Sequence, residues 1–180
     1  MLAHEAAYQL GLDRVLLIPV GKPSHREIDP EPGAEVRLEM VKLAVFGDDF
    51  LEASDLETRS EEPSFTFRTL EALHDECPED EITLLMGADV AAALGSWKLP
   101  MRILDLATVG VAGRPGVDFE EVEVSLERLG AQGWFETIQM PEMGVSSTRV
   151  RRMVAAGRSI RYLVTDSVRE FVEERGLYSA

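Results

Sequence analysis

One cysteine in 180 residues, Cys77, leaves no intramolecular disulfide to staple the fold, and such usage fits a reducing cytosol. Long apolar runs are missing too. The longest are strand-length, so neither a membrane span nor a secretory leader is expected. Cations are scarce: 18 Lys and Arg stand against 33 Asp and Glu, a formal net charge of −15. That balance argues against nonspecific binding to nucleic acid or to an anionic membrane. The acidic residues fall mostly in 27–39, 48–62, 75–81 and 117–127, which read as solvated faces. No internal repeat, low-complexity segment or linker divides the chain. With 45% hydrophobic residues it can fill a full core, and one domain over 1–180 is expected. Any anion site must be a local gathering of the few cations.

Short continuous apolar runs at 14–20, 82–86 and 107–112 have the form of buried parallel strands. Weaker strand candidates run from Trp134 to Met140 and from Phe50 to Ser54. Between them, Val36, Met40, Leu43 and Ala44 give one helix face over about 34–47. Phe67, Leu70 and Leu73 give another over about 66–76, with Thr66 or Ser64 near its cap. Val122, Leu126 and Leu129 mark a third helix. Val168, Phe171 and Val172 mark the last, ended by Gly176. Strands alternating with helices predict an α/β fold with a doubly wound parallel sheet. In such sheets ligands sit beyond the carboxyl ends of the strands. The irregular stretch Gly21 to Gly33 is therefore a candidate lid.

The densest local signal is Gly144-Val-Ser-Ser-Thr-Arg-Val-Arg151. Two hydroxyl residues open the apolar-periodic run Val150, Met153, Val154, so Ser146 or Ser147 caps a helix. The first turn of that helix offers open N–H groups and the positive end of its dipole to an anion. Arg151, four residues after Ser147, leans over the same end. Four further segments follow the strands. Pro19-Val-Gly-Lys-Pro-Ser-His-Arg26 carries Lys22, His25 and Arg26, and Pro63-Ser-Phe-Thr-Phe-Arg-Thr69 pairs hydroxyls with two aromatic rings. Gly87-Ala-Asp89 has Trp97 eight residues on, and Arg114-Pro-Gly116 comes last.

In that order these segments resemble the bacterial nicotinate mononucleotide adenylyltransferases, within the nucleotidyltransferase superfamily. Arg37-Leu-Glu-Met40 with Leu43-Ala44, and the ending Gly176-Leu-Tyr178, extend the likeness over essentially the whole chain. Ser-Ser-Thr-x-x-Arg resembles a motif shared across the superfamily, whereas Pro-Ser-x-Thr and Gly-x-Asp…Trp look specific to its pyridine-nucleotide branch. The resemblance implies a Rossmann-like fold. It implies transfer of the adenylyl group of ATP to nicotinate mononucleotide, giving deamido-NAD and pyrophosphate, with Mg²⁺ bridging the ATP phosphates. By the same resemblance, Ser146, Ser147, Thr148 and Arg151 hold those phosphates, and Gly87 and Asp89 contact the nucleotide. The acceptor is assigned Phe65, Thr66, Trp97 and Arg114, together with Lys22, His25 and Arg26 of the lid.

One departure is expected to matter. Members of the family open with a strand and a turn reading roughly Gly-x-Phe-x-Pro-x-His-x-Gly-His, whereas residues 1–10 resemble the inside of the helix that follows. A first strand and both motif histidines, about 20 residues, are thus absent from this sequence. His4 does not replace either histidine, no catalytic residue is assigned within the chain, and its activity in this form is expected to suffer. Two other readings remain: a sister adenylyltransferase with nicotinamide mononucleotide or phosphopantetheine as acceptor, and an inactive nucleotide-binding module. A cytoplasmic setting is expected, without nucleic acid, membrane or resident metal, and a homo-oligomer is left open.

Overall fold

The computed structural model describes residues 1–24, 32–113, 119–130, 135–141 and 144–179. From the N-terminus the elements are α1 (Leu2–Leu10), β1 (Val15–Leu17), β2 (Lys22–Pro23), α2 (Ala34–Val45), β3 (Leu51–Ala53) and β4 (Pro63–Ser64). Then come α3 (Thr66–Glu76), β5 (Thr83–Gly87), α4 (Ala88–Ala92), a 3-10 turn (Leu94–Ser96) and α5 (Pro100–Leu106). β6 (Thr108–Gly113), α6 (Glu120–Arg128), β7 (Phe135–Gln139), α7 (Ser147–Ala155) and α8 (Asp166–Glu174) complete the order. No helix among the described residues is long and apolar enough to cross a membrane. The chain forms two compact units: Met1–Val15 with Ser64–Glu142, and Leu16–Pro63 with Met143–Ala180.

The first unit is built on a parallel sheet of order β5-β6-β7. Its register sets Leu84 opposite Val109, Met86 opposite Val111 and Val111 opposite Thr137. The central strand β6 is the most buried of the three, whereas β7 is buried at Ile138 and exposed at Glu136, Thr137 and Gln139; parallel strands alternating with helices are the α/β arrangement that the sequence predicts. Val109, Val111, Val122, Leu126, Ile138, Leu94 and Ile103 are fully buried. Each contributes roughly 1.5–3 kcal/mol of transfer free energy. Gly110 lies so close to the side chains of Leu85, Thr83 and Ile138 that a Cβ there would crowd all three. Gly11 ends α1 in the left-handed conformation, φ 64°, which costs glycine little. Gln9 then ties α1 to β7 at Gln139.

In the second unit, Ile160, Val168 and Val172 form a small core against Met40, Leu43, Val150, Met153 and Leu177. That core holds α2, α7 and α8 together by their apolar stripes. Thr165 caps α8, its Oγ1 accepting from the Val168 N–H at 3.4 Å. β1 pairs with β3, and the Ser54 N–H continues that pairing by donating to the Leu17 carbonyl at 3.1 Å.

Every strand and helix predicted from periodicity is present, with ends displaced by no more than three residues. Three details differ. The first helix after β4 has Phe65 at its N-cap and no side-chain cap, because Ser64 belongs to β4 and Thr66 is already helical. The run 14–20 yields only the three-residue strand Val15–Leu17. Finally, α4, the 3-10 turn and α5 occupy a stretch with no assigned element, since helices of five and seven residues are too short for a 3.6-residue period to repeat.

Candidate active site

The candidate residues fall into two groups, one in each unit. In the second unit the N-terminus of α7 settles the choice of cap. Ser146 has extended backbone, φ −137° and ψ 152°, and its Oγ accepts from the Arg149 N–H at 3.2 Å. Ser147 and Thr148 therefore occupy the first two helical positions. Their hydroxyls are exposed and their N–H groups open at the positive end of the helix dipole. Arg149 folds back, its Nη1 donating to the Gly144 carbonyl at 2.7 Å. Arg151 is half-buried on the opposite side of the helix.

Arg149, Arg151, Arg152, Arg158 and Arg161 all lie between residues 144 and 163, a stretch with no Asp or Glu. Among the described residues none of Arg149, Arg151, Arg152 and Arg158 forms an ion pair, in a chain with an excess of carboxylates. An open depression of about 400 Å³ runs along this flank, lined by Ser146, Thr148, Arg149, Arg152, Met153, Ala156 and Arg158. Sequence reasoning missed Arg149, Arg152 and Arg158. The absence of acidic residues from 144–163 was the signal that points to them.

Lys22 is exposed on β2 in the same unit. The strand-exit segment before it is anchored by Arg37 of α2, whose Nη2 donates to the carbonyls of Val20 and Gly21 at 2.5 and 2.9 Å. Gly21 has the Glu57 carbonyl against it where any Cβ would stand, so only glycine fits. His25, Arg26 and Arg114 lie outside the described residues.

In the first unit, Gly87 ends β5 and caps α4, with Asp89 exposed in the first turn. An acidic side chain there complements the helix dipole. Phe65 and Trp97 are both half-buried and both pack against the unit's main core, to which α3 and α5 are brought together. Thr66 opens α3 beside Phe65. Lys98, which the sequence did not single out, holds its Nζ 4.3 Å from the centre of the Phe65 ring. The Arg68 guanidinium lies 5.8 Å from the same ring.

Among the described residues no three His, Cys, Asp or Glu side chains gather as metal ligands. The donor set of α7 consists of hydroxyls, amides and guanidinium groups. Such groups suit phosphate oxygens.

A cytidylyltransferase-like family model matches residues 1–153. A protein of Rubrobacter xylanophilus named "Probable nicotinate-nucleotide adenylyltransferase" is 35% identical over 181 residues, spanning 100% of this chain and 85% of its own length. A protein of the same name from Thermus thermophilus is 36% identical over 176 residues, with 98% and 89% covered. Among solved structures, the nicotinic acid mononucleotide adenylyltransferase of Plasmodium falciparum complexed with APC superposes with a TM-score of 0.74. The match spans 99% of this chain and 88% of that one at 13% identity. Its complex with NaAD gives 0.70, with 98% and 93% covered at 14% identity. At such identities these two structures speak for the fold alone.

Proposed function

This chain belongs to the cytidylyltransferase-like family, among the nicotinate-nucleotide adenylyltransferases, and we propose that it joins ATP to nicotinate mononucleotide to make deamido-NAD. The observation that carries this reading is the start of α7. A serine cap, two exposed hydroxyls, open amides and arginines without ion pairs among the described residues stand together in a strongly acidic protein.

In the reaction, an oxygen of the acceptor's 5′-phosphate attacks the α-phosphorus of ATP. The bond from that phosphorus to the bridging oxygen of the β-phosphate breaks, and pyrophosphate leaves with its electron pair. No protein nucleophile takes part. The chain's work is to position both phosphates and to offset the charge that builds on them. Ser147 and Thr148 donate hydroxyl and amide hydrogens to ATP phosphate oxygens, and Arg151 adds a forked cation. Ser146 holds the helix end in shape. Gly87 and Asp89 contact the nucleotide, while Phe65, Thr66 and Trp97 receive the pyridine side of the acceptor. Lys22, His25, Arg26 and Arg114 serve its phosphate. Mg²⁺ enters as part of the MgATP substrate, held by phosphates and water. ATP, a mononucleotide and a single thiol suit a cytoplasmic enzyme.

The test is release of pyrophosphate with each of three acceptors: nicotinate mononucleotide, nicotinamide mononucleotide and phosphopantetheine. Turnover fastest with the first supports the reading. Turnover only with the third makes this a sister enzyme, and ATP binding without any product makes it a binding module.

A further inference from the structure

α7 carries cations on two flanks, and only one of them serves ATP. Ser147 and Arg151, four residues apart, share the first flank. Arg149 and Arg152, one turn apart, share the other, and the depression of about 400 Å³ lies along it. Arg158 joins them through the way the helix ends. Ala156 is the C-cap and Gly157 is left-handed, φ 65°, so the chain doubles back on the last turn. The Gly157 N–H donates to the Val154 carbonyl and the Arg158 N–H to the Met153 carbonyl, both at 2.8 Å. That closure sets Arg158 at the same depression as Arg149 and Arg152, with Met153 and Ala156 as its apolar lining. Thr148, at the rim, is common to both flanks.

Left to itself this arrangement works against the fold. A cation in the first turn of a helix meets the positive end of the dipole, and like charges one turn apart repel. Elsewhere Arg14 pairs with Asp80, Arg59 with Asp55, Arg102 with Glu71 and Arg169 with Glu173. Arg149, Arg152 and Arg158 meet no carboxylate among the described residues, in a chain with 33 acids against 18 Lys and Arg. Arg149 is also held in place by its 2.7 Å bond to the Gly144 carbonyl. Local rules broken together at one concave place mark a functional site. We propose that this flank is a second anion site, separate from the Ser147 and Arg151 side, and that it takes a diphosphate group, free or carried by an organic molecule. Guanidinium forks match linked phosphates bidentately. The depression has the volume of a small-ligand site rather than the area of a protein interface. The proposal is independent of which acceptor the chain uses.

The experiment is calorimetric titration of the 180-residue chain with inorganic pyrophosphate, with and without saturating ATP. Arg152 and Arg158 are exposed, so their joint replacement by alanine is expected to keep the far-ultraviolet circular dichroism of the parent. Pyrophosphate should bind with ATP present, and the double variant should bind it about tenfold more weakly. Lysine at both positions should recover part of the loss. Arg128→Ala, which removes an exposed cation from α6, should change nothing. Abolition of pyrophosphate binding by ATP, or by Arg151→Ala alone, would assign the anion to the nucleotide side and overturn the proposal. An equal loss in Arg128→Ala would show diffuse attraction and overturn it too, as would affinity weaker than about 10 mM in the unaltered chain. GDP, titrated in the same way, separates the two sources. Tighter binding than pyrophosphate supports a carried diphosphate, and weaker binding supports a free one. If the chain does not bind ATP, the nucleotide reading falls, while the titrations without ATP still decide this one.

Discussion

Arg37 reaches from α2 to the end of the strand-exit segment and donates to the carbonyl of Gly21 at 2.9 Å, with a second hydrogen bond to Val20. The guanidinium thus fixes the backbone from which Lys22 departs. Replacing Arg37 by alanine removes two charge-assisted hydrogen bonds from a half-buried position. A loss of about 2–3 kcal/mol of stability is expected, read from the urea midpoint. Arg37→Lys should recover only part, since a point charge does not reproduce the fork. Gly21→Ala should also destabilise, because its Cβ collides with the Glu57 carbonyl, which is backbone and yields poorly.

Ser146 and Ser147 are adjacent and chemically alike, yet the structure gives them separate work. Ser146→Ala should cost about 1 kcal/mol of stability through loss of the cap. Ser147→Ala should leave the thermal midpoint nearly unchanged while raising KM for ATP. Measuring both quantities on both variants separates capping from ligand binding.

Arg151 forms no ion pair among the described residues, so its removal leaves no buried carboxylate behind. Arg151→Ala should therefore fold normally and weaken ATP binding about tenfold, the worth of one or two charge-assisted bonds to phosphate. Raising ionic strength should reduce the difference between variant and parent. Equal weakening of ATP and of the mononucleotide acceptor would contradict the assignment of Arg151 to ATP.

Much of the fold was legible because it rests on local period. Continuous apolar runs marked β5 and β6, and the stripe Val122, Leu126 marked α6. The helix start at 146–148 was legible too, although not which serine caps it: two hydroxyl residues in succession satisfy the same rule. Lys98 was not legible. Its interest comes from the Phe65 ring, 33 residues earlier in the chain and brought near only by the packing of α3 on α5. Nor was the left-handed backbone of Leu99, because nothing about a leucine before proline announces that conformation. The arginines of 144–163 were in plain view but became a group only when the depression beside Ser146 and Thr148 gathered Arg149 and Arg152 of α7 with Arg158.

The central claim is adenylyl transfer to nicotinate mononucleotide without a protein nucleophile. It is tested most directly by following deamido-NAD and pyrophosphate in one reaction. The assay should be run with ATP and nicotinate mononucleotide together and with ATP alone. The account predicts the two products in equal amounts, with no adenylylated protein at any time. Pyrophosphate released with the adenylyl group retained on the chain would contradict it, as would failure to make the dinucleotide.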